Sequence, residues 1–266
     1  MRVSGLQVAA TAVSLLTLGV AVATSGLPAP SYTAGFAPHA VTAAAALVGA
    51  IFALFPKAAP LGWPAAVLLL WSAGGLVLDA FRAFFAVTGI PAGDFARVDW
   101  PGMAGRALAL AATALVGALL LRRARVPRGP WLGYTAFALG FVYPAAKLYW
   151  SFGGAFLRPA VYEEGFPYGE LIMLAVGAAG SLALVQRWGR RLPRGLVVAG
   201  GWTGAAMLAT MGSMSVFGTL AQLLGVTDGP VPLGDVPAVI TVSVVYGSWL
   251  LFGLAVGGAT LAFQRR

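Results

Sequence analysis

Asp79 and Lys147 are the side chains of this sequence best placed to do chemistry. Each interrupts a long apolar run, and they stand 68 residues apart. An ionised group in hydrocarbon costs at least about 2.5–3.5 kcal/mol on insertion scales, so such groups face the protein interior and pair. An acid and a base at matched depth are expected to form an ion pair, and protonation could open it as a switch. Arg82 follows Asp79 by one turn, while Arg106 and Glu170 open later apolar runs. These three are expected to contact an anionic group or other solute. Tyr143, Trp150 and Ser151 share a helical face with Lys147. Trp71, Tyr143, Trp150 and Ser213 are expected to wall the site, where ring faces could also stabilise a cation. His39, at the edge of an apolar run, reads as an interfacial residue.

These residues need elements to hold them, and the composition allows one class. Hydrophobic residues make up 59% of the chain, charged residues 9%, and mean hydropathy is +0.86. Apolar runs of about 20 residues are long enough to span a bilayer as helices. The sequence predicts an all-α polytopic bundle, a single integral membrane domain over residues 1–266. Eight spans are expected at about 5–24, 39–55, 62–88, 102–121, 131–151, 170–186, 196–223 and 237–262. Pro144 removes a backbone donor inside the fifth run and is expected to kink it. Gly200-x3-Gly204 and Gly253-x3-Gly257 are expected to bring the last two spans close together.

Charge orients the bundle. Twelve of the seventeen basic residues (Arg2, Lys57, Arg122, Arg123, Arg125, Arg128, Arg187, Arg190, Arg191, Arg194, Arg265 and Arg266) fall on one side of the predicted spans. Arg97 and Arg158 fall on the other. Cytoplasmic segments carry the excess of Lys and Arg, so both termini are expected in the cytoplasm of a bacterial plasma membrane. All eight acids then lie in the outer half or outside, with Glu163-Glu164 as a solvated loop. Met1-Arg2, the first apolar run and Ala21-Val22-Ala23 also fit a signal peptide, but the length of the run and the charge alternation favour a retained span.

Ala46-Leu47-Val48-Gly49-Ala50 recurs as Ala114-Leu115-Val116-Gly117-Ala118, and Trp63 and Lys57 recur as Trp131 and Arg125, all at an offset of 68. Spans 2–3 and 4–5 therefore read as parallel copies of one hairpin, a plan known among transporters. Pro127-Arg128-Gly129 and Pro193-Arg194-Gly195, at an offset of 66, suggest a third copy in which Ser213 holds the position that Asp79 and Lys147 hold in the first two.

Several chemistries are excluded. With no cysteine and one histidine, disulfides and the usual zinc sites are out. There is no phosphate-binding Gly-rich loop with Lys-Ser/Thr and no G-x-S-x-G elbow. No cofactor is expected and no metal ligand is assigned, although an all-oxygen site for a hard cation stays open at the outer acids. The net charge of +9 reads as topology and attraction to anionic lipid, not nucleic-acid binding. The expected partners are membrane lipids and a small amphiphilic or ionic ligand.

Lys147-Leu148-Tyr149-Trp150-Ser151-Phe152-Gly153-Gly154 resembles a K-x-Y-W-x-x-G-G segment of poorly characterised actinobacterial multi-pass membrane proteins. That resemblance implies a membrane bundle and transfers no activity. In size and span number the chain is also loosely similar to bacterial membrane-bound terpene cyclases, without a shared motif. The leading functional expectation is a transporter or solute-binding membrane protein with its charged and aromatic site in the outer half. An intramembrane enzyme using Asp79 or Glu170 as a general acid on a lipid or isoprenoid is the alternative. An assembly or sensory subunit is the third.

Overall fold

A chain this apolar satisfies its backbone polar groups within helices, because lipid offers them no partner. The computed structural model describes residues 4–55, 57–122, 129–158 and 165–265, and among them the regular structure is entirely helical. Arg2, Arg123, Arg125, Arg128, Glu163, Glu164 and Arg266 lie outside the described residues, as does Pro127 of the third repeat copy. Five helical stretches are long and apolar enough to cross a membrane: Gly5–Thr24, Pro60–Thr88, Trp100–Leu121, Arg194–Leu223 and Val236–Gln264. His39–Leu54 and Tyr168–Ala183 are shorter apolar helices. These features mark a helical membrane protein.

The chain divides into two compact units, Met1–Arg125 with Leu224–Gly229, and Val126–Leu223 with Pro230–Arg266. The cut falls between predicted spans 4 and 5, so the second copy of the sequence repeat is shared between the units.

The first unit holds α1 (Gly5–Thr24), α2 (His39–Leu54), α3 (Ala59–Ser72), α4 (Leu76–Thr88) and α5 (Trp100–Leu121). Ser4 and Gln7 start α1 with a reciprocal capping box. Asp99 caps α5 by accepting the Gly102 N–H at 3.0 Å, with Pro101 in the first turn where no backbone donor is needed. The core is built from small residues and a few large ones: Ala10, Ala45, Ala46, Ala53 and Ala112 with Phe52, Leu69, Val116, Leu119 and Leu120. Alanine at these positions lets α1, α2, α3 and α5 approach closely.

The run predicted as one long third span is two helices. Ala73-Gly74-Gly75 separates α3 from α4, and Gly75 has φ +85°, a left-handed conformation that favours glycine. A Cβ at Gly75 would also overlap the Phe36 ring. This break places Asp79 in the first turn of α4, where its amide donates to the Gly75 carbonyl at 2.9 Å. A carboxylate there is favoured by the helix dipole.

The second unit holds α6 (Trp131–Leu139), α7 (Val142–Ser151), α8 (Tyr168–Ala183), α9 (Arg194–Leu223), α10 (Val236–Thr241) and α11 (Gly247–Gln264). The interruption between α6 and α7 falls at Gly140-Phe141, one turn before Pro144, whose missing N–H leaves the Gly140 carbonyl without its helical donor. Val242–Tyr246 forms a π turn between α10 and α11. Close packing of α9 against α11 uses Gly253 as expected, set against Ala205 and Ala209, but the glycines of α9 that take part are Gly201 and Gly212. Added methyls there would overlap Thr260 and the Leu250 backbone, whereas Gly200 and Gly204 have nothing within 4 Å. Four-residue spacing marked the right helix and missed the face.

Candidate functional site

In the first unit, the α1–α2 and α4–α5 connections lie at the same end and enclose a charged cluster. Asp79 is wholly buried. Its Oδ2 accepts from Arg106 Nε at 2.5 Å, and its Oδ1 accepts from the Tyr32 hydroxyl at 3.2 Å. Arg106 Nη2 donates to Asp99 Oδ2 at 3.1 Å, so one guanidinium bridges two carboxylates. Tyr32 Oη also accepts the Asp99 N–H at 2.9 Å. The cluster thus joins the α1–α2 connection, the first turn of α4 and the start of α5. Breaking a buried pair by removing one partner typically costs about 3–5 kcal/mol, because a charge is left unpaired.

Tyr32 lies in a connection between spans, and burial raises its phenol pKa above 10.0, opposed by the Asp99 N–H. It therefore stays neutral near pH 7 and keeps its proton to donate to Asp79.

Arg82, expected to contact an anion, is engaged elsewhere. Its Nη1 donates to the carbonyls of Asp94, Phe95 and Arg97 at 3.2, 3.3 and 3.4 Å. Its guanidinium stacks over Tyr32 at 3.7 Å and Phe95 at 4.5 Å. These contacts fold the α4–α5 connection back onto α4. The Arg97–Asp94 pair at 3.1 Å is exposed and adds little.

In the second unit, Lys147 Nζ stands 3.7 Å from Glu170 Oε1, and the Tyr143 hydroxyl stands 3.5 Å from the same oxygen. Tyr143 also packs edge-on to Trp249 at 5.2 Å, and Trp249 to Tyr246 at 4.8 Å. The π turn ends at Tyr246, and its wider i→i+5 winding changes the helical register at which Tyr246 and Trp249 are presented. Trp150 is buried, with its indole N–H on the Phe156 carbonyl at 3.0 Å. Ser213 is buried within α9 and donates to the Thr210 carbonyl at 2.9 Å.

The expected Asp79–Lys147 pair is therefore redrawn. Each residue has an ion-pair partner in its own unit, Arg106 for Asp79 and Glu170 for Lys147. Equal position in a repeat matched their depth in sequence and said nothing of proximity. Trp71 is buried in the first unit, and Tyr143, Trp150 and Ser213 belong to the second.

Set against described protein families, curated proteins and solved structures, the chain matches none. Function has to be read from the site itself.

Tyr32 and Asp99 are the residues that sequence reasoning left out of the site. Asp99 carried a usable signal, since Asp-Trp-Pro before an apolar run is an N-cap with proline in the first turn. Tyr32, in the Pro-rich connection after α1, carried none. Among the embedded charges of the first unit, Asp79 and Arg106 bind each other directly and join the first turn of α4, just after the glycine break, to α5.

Proposed function

We propose that this protein is a small solute-binding membrane transporter whose working centre is the Asp79–Arg106 pair of the first unit. The observation that carries this reading is a wholly buried carboxylate in the first turn after a glycine break in a membrane helix. Interrupted helices with charged groups at the break are a recurring construction of transporter sites, since the break frees helix ends and backbone groups to meet a solute. Glycine at the break also lets α4 move relative to α3, so loss or exchange of the Arg106 contact has a mechanical consequence.

The helices group into eight passes, with α3–α4, α6–α7 and α10–α11 each counted as one. Together with the basic bias this supports an eight-span bundle in a bacterial plasma membrane, both termini cytoplasmic and the Asp79 cluster in the outer half. The repeat of spans 2–3 in 4–5 agrees with the interruption of both α3–α4 and α6–α7.

One observation favours a second reading, acid chemistry on a lipid or isoprenoid. Glu170 lies within reach of Lys147 and Tyr143, next to the Tyr143–Trp249–Tyr246 rings. Such rings can stabilise a carbocation over their faces.

Vesicles reconstituted with the full chain and offered a defined mixture of small inorganic and organic ions separate the two. Transport predicts uptake above empty vesicles that disappears in Asp79→Asn while the variant stays monodisperse. Conversion of a prenyl diphosphate in detergent, lost in Glu170→Gln and retained in Asp79→Asn, would replace the transport reading with the enzymatic one.

A further inference from the structure

A small, partly open cavity of about 40 Å³ lies in the first unit, between α1, α2, α3, α5 and the α1–α2 connection. On this measure a water needs about 10–15 Å³, so there is room for roughly three waters or one ion of a few heavy atoms. Its polar lining is Thr17, Thr24, His39, Thr42, Ser72 and Arg106, with Gly102 and Gly105 leaving the α5 side open. Among the described residues, no acidic side chain lines it. Arg106 brings a permanent positive charge, and His39 is the other ionisable group.

The guanidinium is held in an oriented way. Asp79 takes Nε and Asp99 takes Nη2. Nη1 packs against the start of α5 beside Gly102, where the Asp99 carboxylate also lies, and both Gly102 and Arg106 line the cavity. The Phe36 ring stacks on the same guanidinium at 5.1 Å. With Nε on Asp79, Nη2 on Asp99 and the Phe36 ring over the face, Nη1 is the guanidinium nitrogen without a hydrogen bond among the described residues. Arg106 lines the cavity, so this is the donor a small anion could take.

The hydroxyls complete the set. Thr24 and Ser72 donate to the Val20 and Leu68 carbonyls of their own helices at 2.8 and 2.9 Å. Thr24 Oγ1 also stands 3.4 Å from His39 Nδ1, a long contact for a hydrogen bond. Thr42 donates to the Pro38 carbonyl at 3.4 Å, near the limit of a hydrogen bond, so its proton is the one most readily turned toward a ligand.

We infer that this cavity binds a small monovalent anion, a halide or one the size of formate or nitrate, on Arg106 Nη1 and the Thr42 hydroxyl. The inference rests on the solute-binding reading and supplies the solute class. Anion binding on one edge of Arg106 would compete electrostatically with Asp79 on the other, coupling occupancy to the α3–α4 break.

The test uses the full chain purified in detergent, with thermal unfolding followed at fixed pH and ionic strength. Sodium gluconate, whose anion is too large for the cavity, is replaced stepwise by sodium chloride, formate or nitrate. A ligand that binds only the folded form raises Tm in a saturable way. At Gly105 an added Cβ meets only Val20 Cγ1, at 3.4 Å, so Gly105→Ala should fold while filling part of the space. At least one anion is expected to give saturable stabilisation, with the half-saturating concentration raised at least tenfold in Gly105→Ala and in Thr42→Val. An unsaturable salt effect, or one equal in both variants, would overturn the anion site. Saturable binding without vesicle flux would keep the site and remove the transport reading. Flux lost in Asp79→Asn with no saturable anion effect would keep transport and remove the anion.

Discussion

Tyr32 illustrates how much of the cluster depends on single hydrogen atoms. Its hydroxyl donates to Asp79 and accepts from the Asp99 amide, so Tyr32→Phe leaves a buried carboxylate oxygen and a backbone N–H short of a partner. The expected loss is about 1–3 kcal/mol, read as a lower Tm. A pH effect accompanies it. Burial raises the phenol above 10.0, so the folded chain holds this proton more tightly than the unfolded one. That stabilisation is complete below about pH 10 and is lost as pH rises through the folded value, because the unfolded chain releases the proton first. Unfolding followed from pH 8 to 11 should show a shallower alkaline decline in Tyr32→Phe than in the parent; equal slopes would remove the role given to this proton. At this scale the sequence carried the charges and not their pairing. Asp79 and Arg106 are conspicuous because ionised groups are rare in apolar runs. Their mutual contact depends on how the α4–α5 connection folds back, and Arg82, bonded to carbonyls of that connection, takes a role its position one turn from Asp79 did not suggest.

Among the elements, the glycine break after α3 is the piece on which the site turns. Gly75 and Gly89 both have positive φ, at +85° and +70°. Any L side chain there costs about 1–2 kcal/mol in backbone strain. Gly89 has open space around it, whereas a methyl on Gly75 meets the Phe36 ring. Gly75→Ala should therefore lower Tm well beyond Gly89→Ala, and equal losses would mean that Phe36 yields and the break is not held. Arg82→Ala should leave the helices intact while speeding backbone hydrogen exchange at Asp94 to Arg97, since it removes three carbonyl contacts and two ring stacks. Helix existence was legible from apolar run length, and Pro144 forecast the interruption between α6 and α7. The break in the third run was not legible, because Ala73-Gly74-Gly75 is compatible with a continuous membrane helix until Phe36 packs against it. The glycine seam of α9 was read one residue out of register because Gly200 and Gly201 are adjacent and only the fold distinguishes their faces.

For the molecule as a whole, length, composition and charge bias carried the membrane reading, and the two compact units had no counterpart in the sequence. The absence of native cysteine makes orientation simple to check. Lys57→Cys, between α2 and α3, should react with a membrane-impermeant maleimide only after permeabilisation, and Asp94→Cys, between α4 and α5, should react in intact cells. The opposite pattern would invert the bundle and place the Asp79 cluster on the cytoplasmic side. The central claim, that the Asp79–Arg106 pair works as well as holds, is tested most directly by anion flux and thermal stability in Asp79→Asn, Arg106→Gln and the double variant. Each single change leaves a buried group unpaired and should cost about 3–5 kcal/mol, while removing both charges should restore much of that loss. The account predicts a double variant that is stable again and still without flux; a double variant that is stable and transports like the parent would show that the pair only braces the fold.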